Sequence, residues 1–209
     1  MILHTFVGSP NGRKVEAVIN HLELTVELVH HAFPGDVQSP DFLAINPNGM
    51  VPVLVNDSFV LWESNAIMQY LADCSGKTSL FPRDPRLRAD VSRWQFWEQR
   101  HFNRACGTLA FELVAKPHLG MPQDKHQIEA ATADLARFAP VLERAISGRQ
   151  FIASDHLTIA DYSLVTFESY RQVIAFDWSS FPEINAYFDR IRSTPAWQRA
   201  CQANERVAA

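Results

Sequence analysis

The stretch ILHTFVGSPNGRKVEAVINHL, residues 2–22, decides how this chain is to be read. Ile2 to Phe6 is a short apolar run that predicts a strand, and Val15, Val18, Ile19 and Leu22 recur at helical spacing to form one apolar face. The link between them is Ser9-Pro10-Asn11-Gly12, a turn that sets a hydroxyl at a helix N-terminus. Working outward, Val26 to Val29 predicts a second strand, and Ser39-Pro40 opens a short helix through Phe42 and Leu43. Val51 to Val55 and Ser58 to Leu61 predict a strand pair turned at Asn56-Asp57, and Ser64 caps a helix with Ala66, Ile67, Tyr70 and Leu71 facing inward.

The order is therefore β-α-β-α-β-β-α. A βαβ unit followed by a ββα unit packs as one mixed sheet with helices on both faces, the α/β arrangement of a thioredoxin-like domain, here over residues 1–75. Residues 76–84 form a breaker-rich linker. Beyond it the pattern is helical throughout, over roughly 85–115, 123–147, 159–175, 181–192 and 195–203, so residues 85–209 are expected to form an all-α domain.

Composition narrows the function classes. The chain has 209 residues, 47% of them hydrophobic, enough for two cores. Its 19 basic and 23 acidic residues are dispersed, with a net charge of −4 and no basic stripe to neutralise phosphates or anionic lipid, so neither nucleic acid nor a membrane is an expected partner. Met1 to Phe6 is too short for a secretory apolar core, and a cytoplasmic location is expected. Cys74, Cys106 and Cys201 lie far apart, which suits a reducing compartment and argues against a disulfide framework. His101, His118 and His126 lack ligand spacing, and no metal is expected.

Three short polar constellations carry the chemistry. Proteins of this architecture that do thiol-redox chemistry place Cys-Pro-x-Cys at the first strand–helix turn, and here Ser9 and Gly12 occupy the thiol positions. What remains is a hydroxyl where unpaired N–H groups and the helix dipole favour an anion, too weakly acidic to be a nucleophile but able to donate a hydrogen bond. A plain capping serine is the other reading of the same residues. Val51-Pro52 opens a strand, either as an ordinary trans proline or as a cis bond that turns the Val51 backbone towards a peptide-like ligand. Glu63-Ser64 sets a carboxylate and a hydroxyl at a helix start, a routine cap or a clamp for an amino-acid end.

In this order the three elements resemble the cytosolic glutathione transferase family. The likeness runs through SPNGRKV from Ser9, NPNGMVPVL from Asn46, ESNAI from Glu63 and LTIADY from Leu157, with the serine-type turn most similar to nu-like members and with some likeness to the theta and phi classes. It implies that glutathione is the co-substrate, that Ser9 donates to its sulfur with Asn11 beside it, and that Asn48, Met50, Val51 and Pro52 line the tripeptide. It further implies that Pro52 is cis and that Glu63 and Ser64 grip the γ-glutamyl end. Met50 stands where relatives commonly carry a polar residue, and Val37 and Gln38 stand in place of a basic pair for the glycyl carboxylate. The second substrate is expected to be a small hydrophobic electrophile, or a disulfide or peroxide, in a pocket walled by the helix after residue 85 through Trp97, Arg100, Arg104 and Phe111. A non-enzymatic binding protein of the same fold is the remaining alternative. Thr158 and Asp161 are spaced as a capping box with a structural role, and the resemblance implies a homodimer.

Overall fold

A computed structural model describes residues 1–32, 35–171, 173–174 and 176–208, and within these the side chains of all but Phe167, Ser169, Tyr170 and residues 203–208. Its backbone divides into two compact units, Met1–Phe81 with Ser193–Ala209, and Pro82–Arg192.

In the first unit β1 (Ile2–Thr5) leads into α1 (Pro10–Leu22), then β2 (Glu27–His30), α2 (Pro40–Ile45), β3 (Val53–Asn56), β4 (Phe59–Trp62) and α3 (Ser64–Ser75). The strand order is β2-β1-β3-β4. β1 runs parallel to β2, with Leu3 opposite Leu28, while β3 is antiparallel to both β1 and β4. This is the thioredoxin-like sheet that the residue pattern predicts. Asn56 still pairs with Phe59, so the β3–β4 turn is Asp57-Ser58, with Asp57 at φ 55°, one position later than the Asn56-Asp57 of the pattern.

The period of each element explains its burial. Leu3 and Thr5 of β1 and Val15, Val18 and Leu22 of α1 are buried, as are Ile67, Met68 and Leu71 of α3. Each such aliphatic side chain contributes about 1.5–3 kcal/mol of transfer free energy. Val37, Phe42 and Val53 form a separate small apolar cluster, extended by Ile45 and Val51.

α1 starts where Ser9 Oγ accepts the Gly12 N–H at 3.0 Å, with Pro10 in the first turn, and it stops at Glu23, whose left-handed φ of 57° cannot continue a helix.

The last helix, α10 (Pro195–Ala208), belongs to the first unit, whereas helical periodicity groups it with the rest of residues 85–209. The reason is specific. Arg199 donates to Asn20 O at 3.0 Å and Asn20 Nδ2 donates to Ala196 O at 3.3 Å, so α10 is tied to the end of α1, with Trp197 and Ala200 fully buried.

The second unit is helical. α4 (Pro85–Trp97) is capped by Asp84, which accepts from Arg86 N and Leu87 N. α4 continues through a π-helical segment Glu98–Phe102, α5 (Asn103–Ala110), a second π segment Phe111–Ala115 and α6 (Lys116–His118). α7 (Lys125–Ile146) begins at the Asp124 cap and carries Pro140 inside it. The helix expected over 159–175 is α-helical only as α8 (Ile159–Leu164), after which Val165–Tyr170 tightens to 3-10 geometry; residues 172 and 175 of that span lie outside the described residues. α9 (Pro182–Arg192) completes the unit.

Asp161 organises that unit. Its carboxylate accepts from Thr158 N at 2.7 Å, Thr158 Oγ1 at 2.9 Å, Ile152 N at 2.9 Å and the Tyr187 hydroxyl at 2.7 Å. Burial pushes the Asp161 carboxyl up, and the four donors act against that. Among the described residues no helix is long and apolar enough to cross a membrane.

Candidate active site

Two helix N-termini and the loop before β3 shape a cavity of about 250 Å³ in the first unit, lined by Asn11, Asn46, Asn48, Met50, Val51, Pro52, Trp62, Glu63 and Ser64. Seven of the eight residues expected to meet a tripeptide are thus brought together. The eighth, Ser9, is not among the lining residues. It is 3% exposed, two positions from Asn11, and its oxygen accepts the Gly12 N–H. That bond uses a lone pair and leaves the hydroxyl proton able to donate.

Gly12 lies close to two hydroxyls. A Cβ added there would sit 2.2 Å from Thr5 Oγ1 and 3.3 Å from Ser9 Oγ, so any side chain at the position that carries a second thiol in dithiol proteins of this architecture would have to displace Thr5. Thr5 Oγ1 is buried without a hydrogen-bond partner. Cys74 is exposed on α3 and lines no part of the cavity. Cys106 is buried in the second unit, where desolvation first and the Glu98 charge second push its thiol up, out of the reactive range. No cysteine, Cys201 included, is among the residues that line the cavity.

The loop wall is built by Asn46, whose part in the site the sequence did not disclose. Its Nδ2 donates to Met50 O at 2.6 Å, and its Oδ1 accepts from Asn48 N at 3.1 Å and Asn48 Nδ2 at 2.8 Å. Gly49 takes φ 61°, open to glycine at little cost. The Val51–Pro52 bond is cis, and Val51 stands ahead of the β3 ladder, which begins at Val53. Met50 is 67% exposed, so its place in the wall comes from its backbone and from an unanchored side chain.

Val37 and Gln38 take no part. Val37 is in the apolar cluster behind the loop, and Gln38 Nε2 donates to Gly49 O at 3.4 Å.

At α3 the cap position falls on Glu63 rather than on Ser64, which is the first helical residue. Glu63 holds φ 73°, a left-handed conformation that costs a non-glycine residue about 1–3 kcal/mol, and no side-chain hydrogen bond caps the helix. The α3 N-terminus, with its outward N–H groups, therefore opens on the cavity beside the Ser64 hydroxyl. Trp62, the last residue of β4, adds an aromatic wall that the pattern gave no reason to single out.

Glu63 supplies the only formal charge among the lining residues; the rest of the polar surface is amide and hydroxyl. Such a lining suits an ammonium next to a carboxylate, flanked by peptide groups, better than a polyanion.

The four residues expected along the second substrate lie elsewhere in sequence and fold. Trp97 ends α4, half-buried, its ring stacked on Phe102 at 5.9 Å and edge-on to Trp94 at 5.3 Å. Arg100, Arg104 and Phe111 are exposed on the rod that follows.

Comparison with known proteins gives this geometry a lineage. Residues 1–73 match the model of the glutathione S-transferase N-terminal domain, and residues 102–195 match that of the C-terminal domain. The chain is 32% identical over 201 residues to glutathione S-transferase 3 of Zea mays, covering 93% of this chain and 90% of that one. It is 29% identical over 202 residues to glutathione S-transferase D7 of Drosophila melanogaster, covering 94% and 87%. Among solved structures it superposes with a TM-score of 0.88 and 27% identity on the glutathione transferase URE2P6 of Phanerochaete chrysosporium in complex with oxidized glutathione, covering 99% of this chain and 96% of that one. With residues 1–73 and 102–195 matching the two domain models and 32% identity to a glutathione S-transferase over most of both chains, this protein belongs to the glutathione S-transferase family.

Proposed function

We propose that the protein is a glutathione transferase in which Ser9, with Asn11 beside it, holds the sulfur of bound glutathione as a thiolate for attack on a small hydrophobic electrophile. The observation that carries this reading is the nine-residue cavity, which sets one carboxylate, an uncapped helix N-terminus and three asparagines around the space a short zwitterionic peptide needs. Glu63 meets the γ-glutamyl ammonium. Ser64 and the first N–H groups of α3 meet the adjacent carboxylate, and Val51 pairs its backbone with the cysteinyl residue. Asn48 and the Met50 backbone border the tripeptide, with no basic side chain for the glycyl end.

The energetics are compatible with the assignment. A thiol with a pKa near 8.5 is only about 3% ionised at pH 7, and a drop of about two units raises that to roughly three quarters, for about 2.7 kcal/mol. A charge-assisted hydrogen bond contributes about 1.5–3 kcal/mol and a helix N-terminus up to about 2 kcal/mol. Ser9 and α1 together suffice. The thiolate then forms a carbon–sulfur bond as the leaving group departs with its electron pair, and Trp97, Arg100, Arg104 and Phe111 are the proposed contacts of that electrophile.

A second reading follows from Asn11 lining the cavity while Ser9 does not. In that reading the same thiolate attacks a disulfide or peroxide, and a second glutathione completes the reduction. Parallel turnover assays with a chlorinated nitrobenzene, a mixed disulfide and a hydroperoxide separate the two, and absence of turnover on all three would leave only a binding protein.

We also propose a two-fold homodimer in a reducing, cytoplasmic setting, supported by the exposed Phe59 and Val60 on edge strand β4 and by three free cysteines. Light scattering on the eluting protein is expected to give twice the chain mass, and a monomer would refute that part.

A further inference from the structure

Outside this site, one cluster in the first unit pairs two titratable rings. His4 of β1 and His31, just after β2, lie diagonally on neighbouring parallel strands. His4 Nδ1 is 2.9 Å from His31 Nε2 and the rings stack with centroids 5.1 Å apart. Phe42 of α2 packs edge-on against both, at 4.9 Å from His31 and 6.2 Å from His4. The rings open on a second cavity whose lining also includes Asp36, Asp41 and Val55. At 2.9 Å the two ring nitrogens are at hydrogen-bonding distance, so what they share is a proton.

We propose that the His4–His31 pair is a proton-operated latch on α2, closed near neutral pH and released as the pair takes up its second proton, and that its release loosens the wall of the glutathione cavity. The hydrogen bond needs one nitrogen to donate and the other to accept, a condition met by the neutral and by the singly charged pair. Two imidazolium rings would turn two N–H groups on each other at bonding distance, so the second proton can enter only if the rings part.

The groups facing the pair are few. Glu27 on β2 favours the charged form; Asp36 and Asp41 lie on the cavity rim, with Asp36 Oδ2 already accepting the Ala32 N–H at 2.7 Å. His30, next to His31, keeps its Nδ1 buried without a hydrogen-bond partner, and β3 presents only Val55. Burial and the His31 charge hold His4 below the ordinary imidazole range. A ring that is harder to protonate in the folded state stabilises the fold above the unfolded imidazole value near 6.5, and that contribution is lost as pH falls through this value towards the folded one.

The link to the site is covalent and short. Phe42 sits three residues before Ile45, where α2 ends, and Asn46 follows with the bonds that place Asn48 and Met50. Parting the rings removes the surface on which Phe42 rests, and α2 and Asn46 move with it.

The inference rests on the glutathione reading for its functional arm only, so two readouts are needed. Calorimetry with glutathione at pH 7.5 and 5.5 is expected to show affinity falling more than threefold at the lower pH in the natural protein. In the double variant His4→Asn, His31→Gln, whose amides occupy the same two nitrogen positions without titrating, affinity is expected to be level across that range. An equal fall in both proteins, or none in the natural one, overturns the latch. The second readout uses no ligand: imidazole carbon and nitrogen NMR should show the two rings titrating in separate steps, with Phe42 resonances shifting at the lower one. Independent titration of both rings at ordinary values, with Phe42 unmoved, overturns the latch even where glutathione binds. Failure to bind glutathione at pH 7.5 overturns the functional reading and leaves the NMR result to decide on the latch.

Discussion

The starts of α3 and α8 look alike in sequence, a hydroxyl residue and an acid at the mouth of an apolar helix, and the fold uses them in opposite ways. At α8 the Asp161 carboxylate accepts four hydrogen bonds and is fully buried, with Thr158. At α3 no side chain caps the helix, Glu63 is held at φ 73°, and the N-terminus faces a cavity. A satisfied helix start is an element of the core; one without a side-chain cap, held at a conformational cost, leaves donors available at its mouth. The contrast sets a buried, four-bonded acid against an exposed one at the rim of a cavity, a difference that composition and spacing alone do not show.

Three substitutions test that contrast. Asp161→Ala should have the largest effect: it removes the acceptor of four buried donors and is expected to lower stability by about 3 kcal/mol or more, read as a shift in the urea midpoint. Asp161→Asn should recover only part of this, because an amide nitrogen then faces donors. If Asp161→Ala left the midpoint in place, the structural assignment of α8 would be wrong.

Ser9→Ala comes next. It should cost about 1 kcal/mol of stability through the lost cap and about 100-fold in conjugating turnover through the lost donor, with tripeptide affinity falling far less. Full turnover in this variant, with Asn11→Ala inactive, would transfer the role at the sulfur to Asn11.

Ser64→Ala is the mildest. Its loss should weaken tripeptide binding by about tenfold, near 1.4 kcal/mol, while the unfolding midpoint stays within error, since Ser64 caps nothing. A fall in stability equal to that of a lost cap would mean the α3 start is built like that of α8.

The order of strands and helices in the first unit was legible because β-branched runs of period two and helical faces of period 3.6 leave distinct marks, and because the turns between them are chemically explicit. The partner of α10 was not. An amphipathic helix declares that it has a buried face, not which neighbour covers it, and the bonds from Arg199 and Asn20 that decide the matter span most of the chain. The π segments after Trp97 and Ala110 leave no signal in a helical periodicity either.

In the site, Glu63, Ser64, Val51 and Asn11 could be marked from their motifs, and they do gather. Two points escaped. Asn46 acts by bonding to backbone, which any short polar side chain before a turn could do. Ser9 and Asn11 are two residues apart on a turn, and only the backbone's path tells which side chain reaches the open space.

The most direct measurement is an ultraviolet titration of the thiolate of glutathione at saturating protein, in the natural chain and in Ser9→Ala. Half-ionisation is expected about two pH units below that of the free tripeptide, moving back towards the free value in the variant. A bound thiol that ionises at its free value in the natural chain, or no uptake of the tripeptide at millimolar concentration, would contradict the account.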